Sequence, residues 1–366
     1  MTTTNPAAPA APLAPPDPAR IAKTVATKLP FRGDVTGLTP LAGDASNRRY
    51  FRVALKGKPS ALILMQLADP EGFKKSEEAV SGASVQIAEL PFTNVLAHLQ
   101  RTGVTVPQLH YYDREAGLLY LEDFGDLTLA EACRDADRAR LVSLYRQAID
   151  QLVLLQVKGT QPPAPGCIAF HRRFDVSLLM WEFDHFLEYG IAARLGQPMK
   201  PADDAAVRAA FQRIAELLAG QPQVFVHRDY HSRNLMVDGA RLGIIDFQDA
   251  LMGPATYDLA SLLKDAYIEL DDAVVDGLVD HFLDGLAAQG QGWADRAAFR
   301  RLFDFTSIQR NLKAAGRFVY IDRVKHNPKF LADIPRVLGY VKRNLSKYPE
   351  LATLRQHLAP YVSELQ

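Results

Sequence analysis

Val224-Phe-Val-His227-Arg228-Asp229-Tyr-His-Ser-Arg-Asn234-Leu-Met-Val237, followed by Gly243-Ile-Ile-Asp246-Phe247, is the stretch whose reading decides the fold. Its short apolar runs read as strands separated by polar loop residues. The spacing therefore sets Asp229, Asn234 five residues on, and Asp246 at strand ends or in the loop between strands. One carboxylate, one amide and a second carboxylate placed in this way can orient a hydroxyl and hold a metal-bound triphosphate. A lone loop Asp more often caps or braces its own turn, and a lone Asn more often caps a backbone. The joint spacing, with His227 two residues before Asp229, is what favours phosphoryl transfer. Asp229 is then the candidate for positioning and deprotonating the attacking hydroxyl, Asn234 and Asp246 are the metal pair, and His227 is a hydrogen-bonded brace of the loop.

The rest of the composition narrows the setting. At 366 residues the chain can bury a large core and most simply makes two lobes. Lys plus Arg equals Asp plus Glu at 42 each, so no overall field argues for nucleic acid or an anionic membrane. Two cysteines, Cys133 and Cys167, supply neither a disulfide framework nor a metal cluster and suit a reducing, cytoplasmic setting. No run approaches the roughly 20 apolar residues of a membrane span, and no obligate protein partner is evident.

Outward from the central stretch, the chain divides into a strand-rich first part and a helical second part. Residues 1–19 are rich in Ala, Pro and Thr, have no basic start or continuous apolar core, and read as a disordered leader. Pro18 to Leu29, with Ile21, Val25 and Leu29 at a spacing of four, then suits a short amphipathic helix. Runs at 35–41, 49–55, 61–67, 106–112 and 117–122 read as strands, with a long helix over 84–101 interrupted at Pro91. Five strands without regular helix alternation suggest an antiparallel sheet backed by a helix. From Leu127 onward, helical spacing dominates everything outside the central stretch. The expected class is α+β, with two lobes: an N-lobe over 20–122 for the nucleotide phosphates, a hinge at 123–126, and a mainly helical C-lobe over 127–366 for catalysis, metal and acceptor.

The order Asp229, Asn234, Asp246 resembles the catalytic loop and metal-binding Asp of protein kinases. After Ile245-Asp246-Phe247, however, the chain reaches Gly253-Pro-Ala-Thr-Tyr-Asp258-Leu-Ala within a dozen residues, leaving no long activation loop. Together these segments resemble the aminoglycoside phosphotransferase and choline kinase group of small-molecule kinases, which share the protein-kinase-like fold. The resemblance implies ATP and Mg²⁺ as cofactors and makes Asp258 a buried acceptor bracing the catalytic loop. Leu41-Ala-Gly-Asp-Ala-Ser-Asn-Arg-Arg-Tyr-Phe-Arg-Val53, Leu119-Tyr-Leu-Glu-Asp-Phe-Gly-Asp126, Met180-Trp-Glu-Phe-Asp-His-Phe186 and Gln309-Arg-Asn-Leu-Lys313 further resemble the bacterial N-acetylmuramate/N-acetylglucosamine 1-kinases. These phosphorylate the anomeric hydroxyl of cell-wall amino sugars for recycling, and the likeness covers roughly residues 20 to 350.

The resemblance also locates the two substrates. The turn holding Gly43, Ser46 and Asn47 takes the place of a glycine-rich loop, where backbone amides can meet phosphates. Glu122 and Phe124 sit where such kinases bind adenine through main-chain groups, and Arg49 stands beside the phosphate turn. The strand-three lysine is missing, since Met65 or Gln66 occupies its place. Arg48, Arg49, Arg52, Lys74 and Lys75 are the cations that can replace it.

For the acceptor, the helix over 175–195 offers Trp181, Glu182, Asp184 and His185, although a helix of this composition is as often core and surface. Between Arg296 and Lys347 there are thirteen Lys or Arg against three Asp. A solvated face is the plain explanation, yet Arg310 and Lys313 lie one helical turn apart and suit the lactyl carboxylate of N-acetylmuramate. A polycationic aminoglycoside would require clustered carboxylates instead, and choline an aromatic cage. Another small alcohol or amine, such as a fructosamine, and a nucleotide-binding pseudokinase are the remaining readings.

Overall fold

The computed structural model describes residues 14–41, 48–67 and 89–366. Two compact units divide them, the first made of residues 14–67 and 107–123 and the second of 89–106 and 124–366. Among the described residues, no helix is long and apolar enough to cross a membrane.

The first unit is an antiparallel five-stranded sheet in the order β1-β2-β3-β5-β4. Its strands are β1 (Asp34–Leu41), β2 (Arg48–Lys56), β3 (Ala61–Leu67), β4 (Leu109–Asp113) and β5 (Leu118–Leu121). One face is covered by α1 (Pro18–Thr27), which starts where Asp17 accepts the Ala19 amide and Pro18 supplies a pre-set φ. Ile21, Val25 and Leu29 pack there against Phe51, Val53, Leu55, Leu62, Leu64, Leu118 and Tyr120. Arg20 fixes the helix from outside by pairing with Asp113 at 2.7 Å and Glu115 at 2.8 Å. The stretch read as a disordered leader is therefore ordered over 14–19. Pro18 and Ala19 are helical, and the Ala14 carbonyl accepts a hydrogen bond from Gln66 Nε2 at 3.0 Å.

Strand alternation sorts the sheet's charged residues by face. Arg49 lies opposite Gln66, in line with Phe51 and Leu64 on the side that α1 covers. Arg48, Tyr50 and Arg52 lie opposite Leu67, Met65 and Ile63 and point to the other side.

The second unit begins with α2 (Pro91–Thr102), whose first residue is the proline that the sequence marks as a break. Its described polar contacts include those of two side chains to backbone of the second unit. Asn94 donates to the Gly166 carbonyl and accepts from the Ile168 amide, both at 2.8 Å, and His98 Nε2 lies 2.8 Å from the Gly159 carbonyl. Spaced four apart, these two polar residues turn one helix face toward the last turn of the helix over Arg138–Thr160 and the irregular backbone after it, whose groups would otherwise lack partners.

The helices α3 (Leu129–Ala132), α4 (Arg138–Thr160), α5 (Val176–His185) and α6 (Pro201–Ala219) follow, with α5 running on into a π-helical segment at Phe186–Ala193. Two short hairpin-like sheets come next: β6 (Gln223–Val226) pairs with β9 (Leu251–Pro254), and β7 (Leu235–Asp238) with β8 (Arg241–Ile244). The chain closes with α7 (Thr256–Leu263), α8 (Asp272–Ala288), α9 (Arg296–Lys325), α10 (Ile334–Lys347) and α11 (Ala352–Leu358). The large core joins Phe183, Phe186 and Phe211 to Ile308, Leu312, Val337 and Val341, so α9 is buried along much of its 30 residues. Cys133 and Cys167 are buried free thiols.

Candidate active site

The catalytic stretch is held by its two small sheets. Val226 pairs with Leu251, so the chain leaves β6 directly into His227-Arg228-Asp229. Leu235 pairs with Ile244, and this register brings Asn234 at the start of one hairpin beside Ile245-Asp246 at its end. The Ile245 amide donates to the Asn234 carbonyl at 3.0 Å. Asn234 and Asp246, twelve residues apart in sequence, are thus tied through adjacent backbone.

Asp258, at the start of α7, is fully buried and accepts the His227 amide at 2.7 Å and the Arg228 amide at 3.0 Å. Arg228 takes the left-handed region with φ 82°, which L residues adopt at a cost of about 1–2 kcal/mol. His227 Nε2 lies 2.9 Å from the Ile245 carbonyl, and the Asp229 amide donates to Nδ1 at 3.3 Å. A carbonyl only accepts, so Nε2 carries the hydrogen and the ring is neutral; burial lowers its pKa accordingly. Asn234 Nδ2 donates to the Asp229 carbonyl at 2.9 Å, which fixes the amide and leaves Oδ1 as its acceptor atom. Asp246 also has a left-handed backbone, φ 63°, and its Oδ1 accepts from the buried Gln248 at 2.9 Å.

Cations from α9 dominate the electrostatics. Arg310 stands 3.9 Å from Asp229 Oδ1, donates to Ser261 Oγ, and lies with its guanidinium carbon 5.4 Å from the centre of the Tyr257 ring. Lys313 is 3.1 Å from Glu182 Oε1. Burial alone would raise the Asp229 pKa, but Lys313 and Arg310 outweigh it and hold the carboxyl well below the usual range. Asp258 has the opposite balance: burial raises it from 3.8 to about 6, against the pull of His227 and the two amides.

Glu182, expected on the acceptor side, is fully buried behind the loop. Its carboxylate meets Lys313, Arg228 at 3.4 Å, Gln309 Nε2 at 2.8 Å and the Tyr257 hydroxyl at 3.5 Å. It is an internal anchor for four side chains, out of reach of a sugar hydroxyl. Asp184 is engaged at the surface by Arg208. Trp181 keeps 45% of its surface exposed and stacks on His185, ring centres 5.8 Å apart. His185 Nε2 is buried with no hydrogen-bond partner among the described residues, and burial together with Arg317 and Lys313 pushes the ring's pKa down to about 4.

The basic run along α9 and α10 is largely answered at the surface, by pairs such as Arg296 with Asp280, Arg300 with Asp276, Arg301 with Glu350 and Arg343 with Glu269. Arg310 and Lys313 are the two that turn inward to Asp229.

Of the nucleotide residues, Gly43, Ser46 and Asn47 lie outside the described residues, as do Lys74 and Lys75. Arg49 is on the α1 side of the sheet, 5.1 Å from the Phe51 ring centre. Arg52 is bound to Asp123 by two contacts of 2.6 and 3.1 Å. The Glu122 amide donates to the Gln108 carbonyl at 2.9 Å, and its carboxylate accepts back from the Gln108 amide at 3.2 Å. Phe124 is buried on β8, against Gly243, where an added Cβ would come within 2.4 Å of the ring.

Sequence reasoning passed over Arg228, Tyr257, Ser261 and Gln309. The signal for Gln309 was present, since it stands four residues before Lys313 and so shares its helix face. A left-handed backbone at Arg228 has no signature when the residue there is not Gly.

A carboxylate in a braced loop, an adjacent amide and carboxylate, and fixed cations around them define a phosphotransferase, and the sequence pattern of the phosphotransferase enzyme family matches residues 37–299. The chain belongs to that family, and it is an enzyme that transfers phosphate to a hydroxyl. It is 34% identical over 327 residues to the N-acetylmuramate/N-acetylglucosamine kinase of Pseudomonas putida, covering 88% of this chain and 87% of that one. The protein of the same name in Neisseria meningitidis is 31% identical over 329 residues, 89% of this chain and 91% of the relative. Among solved structures, a choline/ethanolamine kinase family protein from Mesorhizobium loti superposes with TM-score 0.57 at 18% identity, covering 94% and 99% of the two chains. An amicoumacin kinase in complex with AMP-PNP and Ca²⁺ gives 0.58 at 16% identity, covering 91% and 94%. At these identities the structural likeness is one of fold.

Proposed function

We propose that this protein is an ATP-dependent kinase that phosphorylates the anomeric hydroxyl of N-acetylmuramate and N-acetylglucosamine, in the recycling of cell-wall sugars. The observation that carries the reading is the Asp229 carboxylate, ionised by Arg310 and Lys313 and held on a loop braced by Asp258, in a chain that aligns with the Pseudomonas putida kinase over 88% of its length. An anomeric hydroxyl is more acidic than an ordinary alcohol because the ring oxygen withdraws charge. A carboxylate with a strongly lowered pKa is a weak base, and such an acceptor asks little of it. Asp229 then serves mainly to orient the nucleophile, in keeping with phosphoryl transfer that relies on position and charge.

Asn234 Oδ1 and the Asp246 carboxylate form an all-oxygen donor pair of the kind Mg²⁺ takes, with waters and phosphate oxygens completing the shell. When bound, the cation neutralises phosphate charge. Trp181, stacked on His185, provides an exposed aromatic surface for the pyranose ring. Arg310 and Lys313 supply the positive field that an acidic sugar requires. The expected cytoplasmic location agrees with two free thiols and with an ATP-consuming reaction.

The test is ADP release from Mg-ATP with a panel of N-acetylmuramate, N-acetylglucosamine, choline and kanamycin. Turnover of the amino sugars and not of the others is expected. Turnover of choline or kanamycin alone would overturn the acceptor, and no turnover at all would favour a nucleotide-binding pseudokinase.

A further inference from the structure

We infer that Arg310 is a catalytic residue acting on the transferring phosphoryl group, and that it leaves the carboxylate of an acidic acceptor to Lys313. This rests on the sugar-kinase reading above and divides the work of its two cations.

The argument begins with what holds Arg310. Its guanidinium donates to Ser261 Oγ, lies over the face of Tyr257 and stands 3.9 Å from Asp229 Oδ1, with its side chain only 12% exposed. At 3.9 Å the pair with Asp229 is an electrostatic neighbour, longer than the 2.7–2.9 Å of a closed charge-assisted hydrogen bond. The cation is therefore oriented by Ser261 and Tyr257 and keeps donors for another anion beside the base. Lys313, one turn further along α9, is instead closed on Glu182 at 3.1 Å and aligned by Tyr257 at 3.5 Å.

The second step is where negative charge develops. In the transfer the acceptor oxygen forms a bond to the γ-phosphorus while its proton passes to an Asp229 oxygen. The bond from that phosphorus to the β,γ-bridging oxygen breaks, and its electron pair leaves on ADP. Charge on the equatorial oxygens must be met close to the base, because the acceptor oxygen lies between the base and the phosphorus. A fixed guanidinium within 4 Å of the base fits that position. The lactyl ether of N-acetylmuramate is carried on C3, two ring atoms from the anomeric carbon, so its carboxylate is displaced from the reacting oxygen.

The two roles separate kinetically because N-acetylglucosamine has no carboxylate. Arg310→Met and Arg310→Lys are assayed with N-acetylmuramate and N-acetylglucosamine under saturating Mg-ATP. If Arg310 serves the phosphoryl group, kcat falls for both sugars alike, by about 10²–10³-fold for the Met variant as for loss of one preorganised donor, with acceptor KM little changed. A loss confined to N-acetylmuramate and expressed in its KM overturns the inference and assigns Arg310 to the sugar's acid group. Should the Met variant fail to fold, the Lys variant, which keeps the charge but not the planar fork, gives the same two-way answer. Wild-type protein that turns over neither sugar would overturn the underlying function itself, an outcome distinct from either result with the variants.

Discussion

The Asp258 carboxylate accepts the amide hydrogen of Arg228 at 3.0 Å, and Arg228 is the one residue of the catalytic loop with a left-handed backbone, φ 82°. With the companion bond from His227 at 2.7 Å, a single buried side chain holds the turn that presents Asp229. Asp258→Asn replaces one acceptor oxygen by an NH₂ group facing an N–H donor. The cost is about 1–3 kcal/mol of stability, as for a buried donor left unsatisfied. A lower urea midpoint and a reduced kcat, with KM for ATP nearly unchanged, are expected.

The same residue is expected to set the acid side of the pH profile. Asp229 is held well below the usual carboxyl range and stays ionised, while burial keeps His227 and His231 neutral. Asp258, raised by burial to about 6, is the group that titrates near neutrality. Its folded pKa lies above the ordinary 3.8, so the folded state binds the extra proton between about pH 4 and 6. The contribution of this group to stability is therefore fully present below pH 3.8 and is lost as pH rises through 6. Function runs the other way, because the doubly accepting carboxylate is the ionised form. We expect kcat to fall below about pH 6, and Asp258→Asn to remove that limb from its lower plateau. An unchanged limb in the variant would assign it to another group.

Glu182 gives a charge-balance prediction. It is fully buried with Lys313 at 3.1 Å and Arg228 at 3.4 Å, and these cations together with Gln309 outweigh burial and keep its pKa below normal. Glu182→Gln leaves two largely buried cations without their shared counter-charge and is expected to destabilise by up to about 3–5 kcal/mol, the cost of breaking a buried pair from one side. Glu182→Gln with Lys313→Met removes both halves of the closest pair and should recover part of that loss. Thermal midpoints of the two variants measure it, and a double variant no more stable than the single one would argue against pairing as the cause.

The fate of Glu182 shows what the sequence could and could not say. The spacing Asp229, Asn234, Asp246 was legible because it is local: three strand ends and one hairpin register fix it. The sheet strands were equally legible as short apolar runs, and β3, read as an apolar run, spans the expected Ala61–Leu67. Whether a carboxylate on α5 faces solvent or α9 depends on packing between helices more than a hundred residues apart. Glu182 and Asp184 look alike as a motif, yet one is buried under Gln309 and Lys313 and the other meets Arg208 at the surface. The start of α1 was legible too: the helix read from Pro18 begins there, after Asp17, while the leader drawn to residue 19 overlapped its first two residues.

Gln248 tests the cation site from its second layer. The buried Gln248 amide donates to Asp246 Oδ1 at 2.9 Å and Asp249 Oδ2 at 3.0 Å, orienting the Asp246 carboxylate. Loss of such an outer partner typically weakens metal affinity about 10–100-fold. Gln248→Leu should raise the Mg²⁺ concentration for half-maximal velocity by about tenfold or more, while saturating Mg²⁺ restores most of kcat. A variant with unaltered Mg²⁺ dependence would remove Asp246 from the proposed ligand pair.

Gly316 tests the link between helix packing and the acceptor. A Cβ built on it would stand 2.7 Å from Phe186 Cα and 3.1 Å from the His185 carbonyl, so α9 meets the end of α5 backbone to backbone. Neither contact is a flexible side-chain tip, and Gly316→Ala must shift one helix against the other. Overpacking of this kind costs about 1–3 kcal/mol. The displaced residues are those next to His185, where the chain passes from α5 into its π-helical segment. His185 carries the stacked Trp181 ring, whereas Asn234 and Asp246 are held by the separate β7–β8 hairpin. Gly316→Ala is therefore expected to raise the KM for the amino sugar several-fold while leaving the KM for ATP close to that of the wild type. Equal changes in both constants would mean that the crossing supports the unit as a whole and has no particular hold on the acceptor side.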